Sequence, residues 1–270
     1  LMPTPGGSHR PALLFMEVSM SASNELAVVV GATCAFGQAI VERLCAAGLD
    51  VLAVARSAAS LDALASRHPG VTGCVADIAS DESIAQIAAA VDRPVRMIVH
   101  GPGVAVAGGV LDAPTGALVD AVNIKVGGLL RLVRAVDSLL VKGSRLVAIG
   151  GHYGFEPTAY AAAAGVANAA LANASRQLSL AYGPRGITAH LIAPGPADTE
   201  RLHRVAADRA ALRGIDPAAV LAEMCAESSL GALTTPEQVA WAVSLLLAPE
   251  ADAMTGSTLM LDSGRRRGLP

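Results

Sequence analysis

Three side chains able to move protons lie close together in the segment Gly150-Gly151-His152-Tyr153-Gly154-Phe155-Glu156-Pro157-Thr158-Ala159-Tyr160. Histidine titrates near neutrality, whereas an unassisted tyrosine has a pKa of about 10, so only roughly one tyrosine in a thousand is ionised at pH 7. Tyr160 is therefore a poor base for oxidising an alcohol but a workable proton donor in a reduction. Paired with His152 and Tyr153 it would instead suit a dehydration, isomerisation or cyclisation. A second kind of chemistry belongs to Val28-Val29-Val30-Gly31-Ala32-Thr33-Cys34-Ala35-Phe36-Gly37, where an aliphatic run meets a glycine turn that opens a helix. Such a turn sets backbone N–H groups and a helix N-terminus against a pyrophosphate. A third feature is the series Arg201, Arg204, Arg209 and Arg213, with His203, set against Glu200 and Asp208. Their spacing makes one helical stripe, which suits an anionic substrate such as a coenzyme A ester or a carboxylate, or else a solvated helix face.

Composition narrows the setting for this chemistry. The chain has 270 residues, 53% hydrophobic, 16% charged and 3% aromatic, with a net charge of −3. That describes one α/β domain with a core of Ala, Val, Leu and Ile, part of which is expected to be buried between subunits. The charge offers no footprint for nucleic acid or anionic membrane. Cys34, Cys45, Cys74 and Cys225 are too far apart for a CxxC or zinc pattern, so no metal site is expected, and reduced thiols point to a cytoplasmic protein. The apolar run from Ala12 to Met16 is too short to span a bilayer. Residues 1–24 read as a flexible arm, with Met16 and Met20 as alternative starts, and 265–270 read as a solvated tail.

Between these ends, over 25–264, short aliphatic runs alternate with helical patterns, the mark of βαβ units and a parallel sheet covered on both faces. Strands are expected near 26–31, 51–55, 71–75, 95–99, 145–149, 187–192 and 257–261, with long helices over 113–140 and 158–182. The second of these is rich in small residues, including Ala169 and Ala170, and suits either a helix-to-helix assembly seam or a buried alanine-rich helix. Residues 199–232 form the one long insertion, of a length that often serves as a lid.

From about Leu26 to Asp262 the chain resembles the short-chain dehydrogenase/reductase family. The glycine turn is similar to that family's TGxxxGxG motif. Asp77 matches the acid that contacts adenine, Asn123 the helix asparagine of the catalytic group, Pro194-Gly195 with Thr199 the nicotinamide-side loop, and Thr235-Pro236-Glu237 with Asp262 its C-terminal markers. The resemblance implies a doubly wound Rossmann-type sheet in a single domain. It also implies a nucleotide held by Gly31, Thr33, Phe36, Gly37, Arg56, Asp77, Gly101, Pro194, Gly195 and Thr199. Arg56, next to Ala55 where an acid would take both ribose hydroxyls, favours the 2′-phosphate of NADP(H).

The chain departs from the pattern at several points. Ala35 replaces the middle glycine, and His100-Gly101-Pro102-Gly103 replaces NNAG. Tyr160 matches the catalytic tyrosine, but Gly151 stands at the serine position and Ala164 at the lysine position, four residues on. Lys125 and Lys142 are the only lysines, and Lys125, two positions from Asn123, points away from the asparagine's face. The expectation is a damaged site, with Tyr160, Asn123 and His152 as its remaining catalytic candidates. A non-catalytic subunit partnering an active homologue then ranks first. An NAD(P)H-dependent oxidoreductase of a carbonyl or alcohol, or a non-redox enzyme using His152 and Tyr160, are the alternatives. Assembly is expected as a homo-oligomer, or as a hetero-oligomer with that homologue.

Overall fold

In the computed structural model, residues 25–104 and 108–268 are described, so the arm expected over 1–24 lies outside them. Seven strands form one parallel sheet: β1 (Leu26–Val30), β2 (Asp50–Ala55), β3 (Val71–Val75), β4 (Val95–His100), β5 (Leu140–Ile149), β6 (Thr188–Pro194) and β7 (Thr258–Leu261). Their spatial order is β3-β2-β1-β4-β5-β6-β7. The strand order reverses between β1 and β4, which opens a crevice at the carboxyl ends of the strands, where such sheets bind ligands.

The helices are α1 (Ala35–Ala46), α2 (Ala58–Ala65), α3 (Glu82–Ala90), α4 (Thr115–Val122), α5 (Gly128–Val136), α6 (Ala162–Tyr182), α7 (Glu200–Arg213), α8 (Pro217–Ala226) and α9 (Pro236–Leu245). Successive residues of a strand face opposite sides, and β1 feeds both layers. Leu26, Val28 and Val30 join Ile87 of α3, Leu132 of α5 and Leu171 of α6 in one core. Ala27 and Val29 join Ile40 of α1, Leu61 of α2 and Val239 of α9 in the other. The doubly wound single-domain α/β fold read from the sequence is the fold observed. Among the described residues no helix is long and apolar enough to cross a membrane.

Three elements differ from the sequence reading, and each difference shapes the crevice. The helix expected over 113–140 is broken: α4 passes into a π-helical turn over Asn123–Gly127 before α5 begins. A π turn inserts an extra residue and rotates the helix beyond it, and such turns often mark functional sites. The helix expected from 158 starts at Ala162, because the chain before it is tied to the 108–110 loop by bonds from Val110 N to Ala159 O (3.0 Å) and Ala162 N to Gly108 O (3.3 Å). Tyr160 therefore precedes α6 and does not ride on it. The proposed tail is anchored at its start. After β7 the chain reverses through two left-handed residues, Ser263 (φ 54°) and Gly264 (φ 77°), and Arg265 is only 9% exposed. A side chain at 264 would run into Ser229 Oγ at 1.8 Å, so glycine is required at that turn.

Candidate active site

Among the described residues, three neighbouring cavities border the crevice; the largest, about 770 Å³, lies outside the glycine turn between α1 and the start of α7, and the other two are lined by most of the candidate site residues. The first of these two, about 220 Å³, is lined by Gly31, Thr33, Cys34, Arg56, Asp77 and Pro102, among others. Gly31 takes φ +81°, and a Cβ at Gly37 would meet Gly31 O at 2.1 Å, so glycine alone lets α1 close onto the turn. Cys34 caps α1, its Sγ accepting from Gly37 N at 3.4 Å. The opening N–H groups of α1 have no intrahelical partners and border this crevice, the setting that favours a phosphate. Asp77 accepts from Ala79 N at 3.0 Å, which holds the carboxylate at the cavity edge. These residues leave a cradle of the right chemistry for a dinucleotide, and Arg56 adds a cation to its lining.

The second cavity, about 260 Å³, is bordered by Phe36, Gly101, Pro194, Gly195, Thr199 and the proton-moving side chains. Tyr153 and Tyr160 meet hydroxyl to hydroxyl at 2.8 Å. Burial, then the hydrogen bond to Tyr160, pushes the Tyr153 hydroxyl up to about 12, so it keeps its proton. His152 stacks on Tyr153 with centroids 4.1 Å apart, and its burial pushes the imidazole down to about 4. At neutral pH His152 is thus an uncharged wall of the site. Tyr160 has a tyrosine as its hydroxyl partner.

Asn123 does not enter either cavity. Its amide donates to Ala79 O at 2.9 Å and its Oδ1 accepts from Arg131 at 2.9 Å, a brace between the π turn and the segment after β3. Asn123 was expected in the catalytic group; its side chain lies outside both cavities and is committed to this brace. Lys125 does lie on the opposite face, as its spacing predicted, but that is the face turned into the crevice. It is 5% exposed, lines the second cavity and donates from Nζ to Ile149 O at 2.8 Å. Burial, with Arg201 nearby, brings its ammonium down from 10.5 to about 8. The turn that carries it is held by His100 Nε2 against Ile124 O at 3.0 Å, so the residue replacing the first asparagine of NNAG also braces the sheet.

Gly151 and Ala164 both border the second cavity, as does Asn168, one turn beyond Ala164 on α6. A Cβ at Gly151 would lie 2.9 Å from Asn168 Nδ2, so the amide fills the space a serine side chain would take. Asn168 is 6% exposed and its Oδ1 has no partner. Thr158, the other hydroxyl considered for this role, does not line the cavity.

The 199–232 segment covers the opening as a pair of helices, α7 and α8, closed on Ala206, Ala210, Val220 and Met224. Its arginines divide. Arg201 and Arg209 face the cavity, while Arg204 pairs with Glu200 and Arg213 with Glu223 outside it. Sequence reasoning set Lys125 aside and missed Asn168 and Arg265; it had grouped Tyr153 with Tyr160, and the structure adds their direct hydroxyl contact. A lone lysine between Ile124 and Val126 in an otherwise apolar stretch was the one available signal.

Comparison with known proteins agrees with this fold and crevice. The model of a family described as enoyl-(acyl carrier protein) reductase matches residues 31–266. The 3-oxoacyl-[acyl-carrier-protein] reductase FabG of Pseudomonas aeruginosa is 30% identical over 256 residues, covering 91% of this chain and 98% of its own. A variant of the actinorhodin polyketide ketoreductase, solved with NADPH, superposes with a TM-score of 0.82 at 25% identity, covering 90% of this chain and 98% of that one. An NADPH-bound short-chain oxidoreductase from Pseudomonas aeruginosa, described as containing an atypical catalytic center, gives 0.80 at 25% identity over 91% and 98%. The chain belongs to the short-chain dehydrogenase/reductase family.

Proposed function

We propose that this protein is an NADPH-dependent reductase of a carbonyl compound, with Tyr160 as proton donor and Lys125 as the site's amine. The observation that carries the reading is the buried Lys125 ammonium in the cavity that Tyr160 and Ala164 border. A cation held at a cost in a reaction cavity is a functional-site signal. It supplies from another element the positive charge that position 164 lacks. The relatives' names, reductases that include NADPH-bound structures, favour this reading over the non-catalytic partner subunit. The non-redox alternative has less support, since burial brings His152 down to about 4, which leaves it a weak base with almost no imidazolium at pH 7, and Tyr160 is bonded to Tyr153.

NADPH, when bound, supplies the hydride that reaches the carbonyl carbon. Gly31, Thr33 and the start of α1 would hold its pyrophosphate, Arg56 its 2′-phosphate and Asp77 its adenine. The carbonyl oxygen gains negative charge as the hydride arrives and takes the Tyr160 hydroxyl proton. Tyr153, which keeps its own proton, is positioned to donate to the Tyr160 oxygen left behind. Lys125 places a positive charge in the same cavity, favouring that phenolate electrostatically. The exposed, small-residue face of α6 would serve assembly with a second copy.

The test is NADPH oxidation by the purified protein against a panel of ketones and oxo-esters, with Tyr160→Phe as control. Turnover should fall by about 10²–10⁴ in the variant. Cofactor binding by calorimetry without turnover of any compound would return the partner-subunit reading to first place.

A further inference from the structure

Among the described residues, the second cavity is lined by four cationic side chains, Lys125, Arg201, Arg209 and Arg265, and by no aspartate or glutamate. Arg265 is already neutralised, donating to Glu227 and to Met224 O. Lys125 spends its bond on Ile149 O. The two α7 arginines are different. Among the described residues Arg201 has one acceptor, Val104 O at 2.5 Å, and Arg209 has no hydrogen-bond or ion-pair partner, its guanidinium lying 4.9 Å from the centroid of the Tyr160 ring. The same helix pairs Arg204 and Arg213 with carboxylates, so Arg209, half-buried at the cavity, is the exception on its own element.

The spacing of the pair is eight residues, with Val205 midway, which puts all three on one helix face over the cavity. A guanidinium without a carboxylate, in a cavity walled by Leu202, Val205 and Met224, lacks the anion its planar donor fork is shaped to hold. We infer that Arg209, assisted by Arg201, forms a carboxylate subsite, and that the substrate is a short oxo-acid whose carbonyl faces Tyr160 while its carboxylate sits on Arg209. Arg209 stacks on the very ring whose hydroxyl faces the carbonyl, so only a few bonds can separate the two groups of the substrate. This rests on the reductase reading for its chemistry, but the binding claim stands on the arginines alone.

The experiment compares acetoacetate with methyl acetoacetate, which keeps the carbonyl and loses the charge, and with an acetoacetyl thioester of N-acetylcysteamine. Binding is read by calorimetry and turnover by NADPH oxidation. The acid should bind at least about tenfold tighter than the ester, and Arg209→Leu should erase that preference, with a loss of about 10–100-fold for the acid that exceeds any loss for the ester. Arg209→Gln, which keeps a polar side chain over the ring, should lose it equally, and Arg213→Leu, outside the cavity, should retain it. Each variant is checked by its melting curve. Equal affinity for acid and ester, preference for the thioester, or a preference that survives Arg209→Leu overturns the subsite. Acid-selective binding without turnover would keep the subsite and remove the reductase, and unselective turnover would do the reverse.

Discussion

Replacing Lys125 by Met should make the protein more stable and less active at once. The side chain is 5% exposed, and burial brings its ammonium from 10.5 to about 8. That difference corresponds to about 3 kcal/mol of folding free energy forfeited at pH 7 by keeping the amine charged. Methionine fills similar space without a charge. It loses the bond to Ile149 O and leaves that carbonyl with one partner fewer, at about 1–2 kcal/mol, so the net gain is about 1–2 kcal/mol. Urea denaturation at pH 7 measures it directly. The pH profile adds a signature. Between about 8 and 10.5 the unfolded parent retains a proton that the folded parent has released, so raising the pH through this window favours the parent's folded state. The Met variant has no such rise. Its ketone reduction should fall by about a hundredfold or more while it folds better. A variant that is less stable at pH 7, shows the parent's pH rise, or reduces ketones within about threefold of the parent would refute the assignment of a strained, functional cation.

Other outcomes concern neighbouring parts of the molecule. Restoring serine by Gly151→Ser should not raise activity. Its Cβ would lie 2.9 Å from Asn168 Nδ2, and overpacking should lower stability by about 1–3 kcal/mol in urea melts. An unchanged melt with a tenfold rate gain would contradict the packing argument. Arg56→Ala should weaken NADPH by about tenfold or more in calorimetry and leave NADH nearly unaffected, and equal losses for both would remove Arg56 from the phosphate. Ala169→Glu, on the exposed face of α6 that also carries Val166 (49% exposed) and Leu180 (63%), should shift the protein toward monomer in light scattering. A parent that is already monomeric would end the assembly reading.

Much of the fold was legible because aliphatic runs such as Val28-Val29-Val30 and Leu146-Val147-Ala148-Ile149 have few alternatives to a buried parallel strand. The glycine turn and Tyr160 were legible for a related reason, since their context is local. Lys125 was not. Its spacing placed it opposite Asn123, but which of those two faces turns into the crevice is decided by packing against distant strands, through His100 to Ile124 O and Lys125 to Ile149 O. Asn123 was taken for a site residue because it matches the family's helix asparagine, and a motif match does not say which neighbours the side chain bonds. Arg265 illustrates another limit. It is held at the cavity by Glu227 from α8's end, a contact between residues far apart in the chain that no local spacing encodes.

Arg265 has a consequence for how the specificity of such a cavity can be transplanted. The chain doubles back at Ser263 and Gly264 to press Arg265 against α8, so the stretch after Asp262 is a piece of the cavity wall contributed from beyond the final strand. A graft that exchanges α7 and α8 with those of a relative but keeps the native terminus would pair a foreign lid with a mismatched latch. Glu227 would leave with the graft and Arg265 would stay behind, buried and without its counter-ion. The segment Pro196 to Ser229 and the residues after Asp262 therefore form one inheritable unit, far apart in the chain but exchangeable only together.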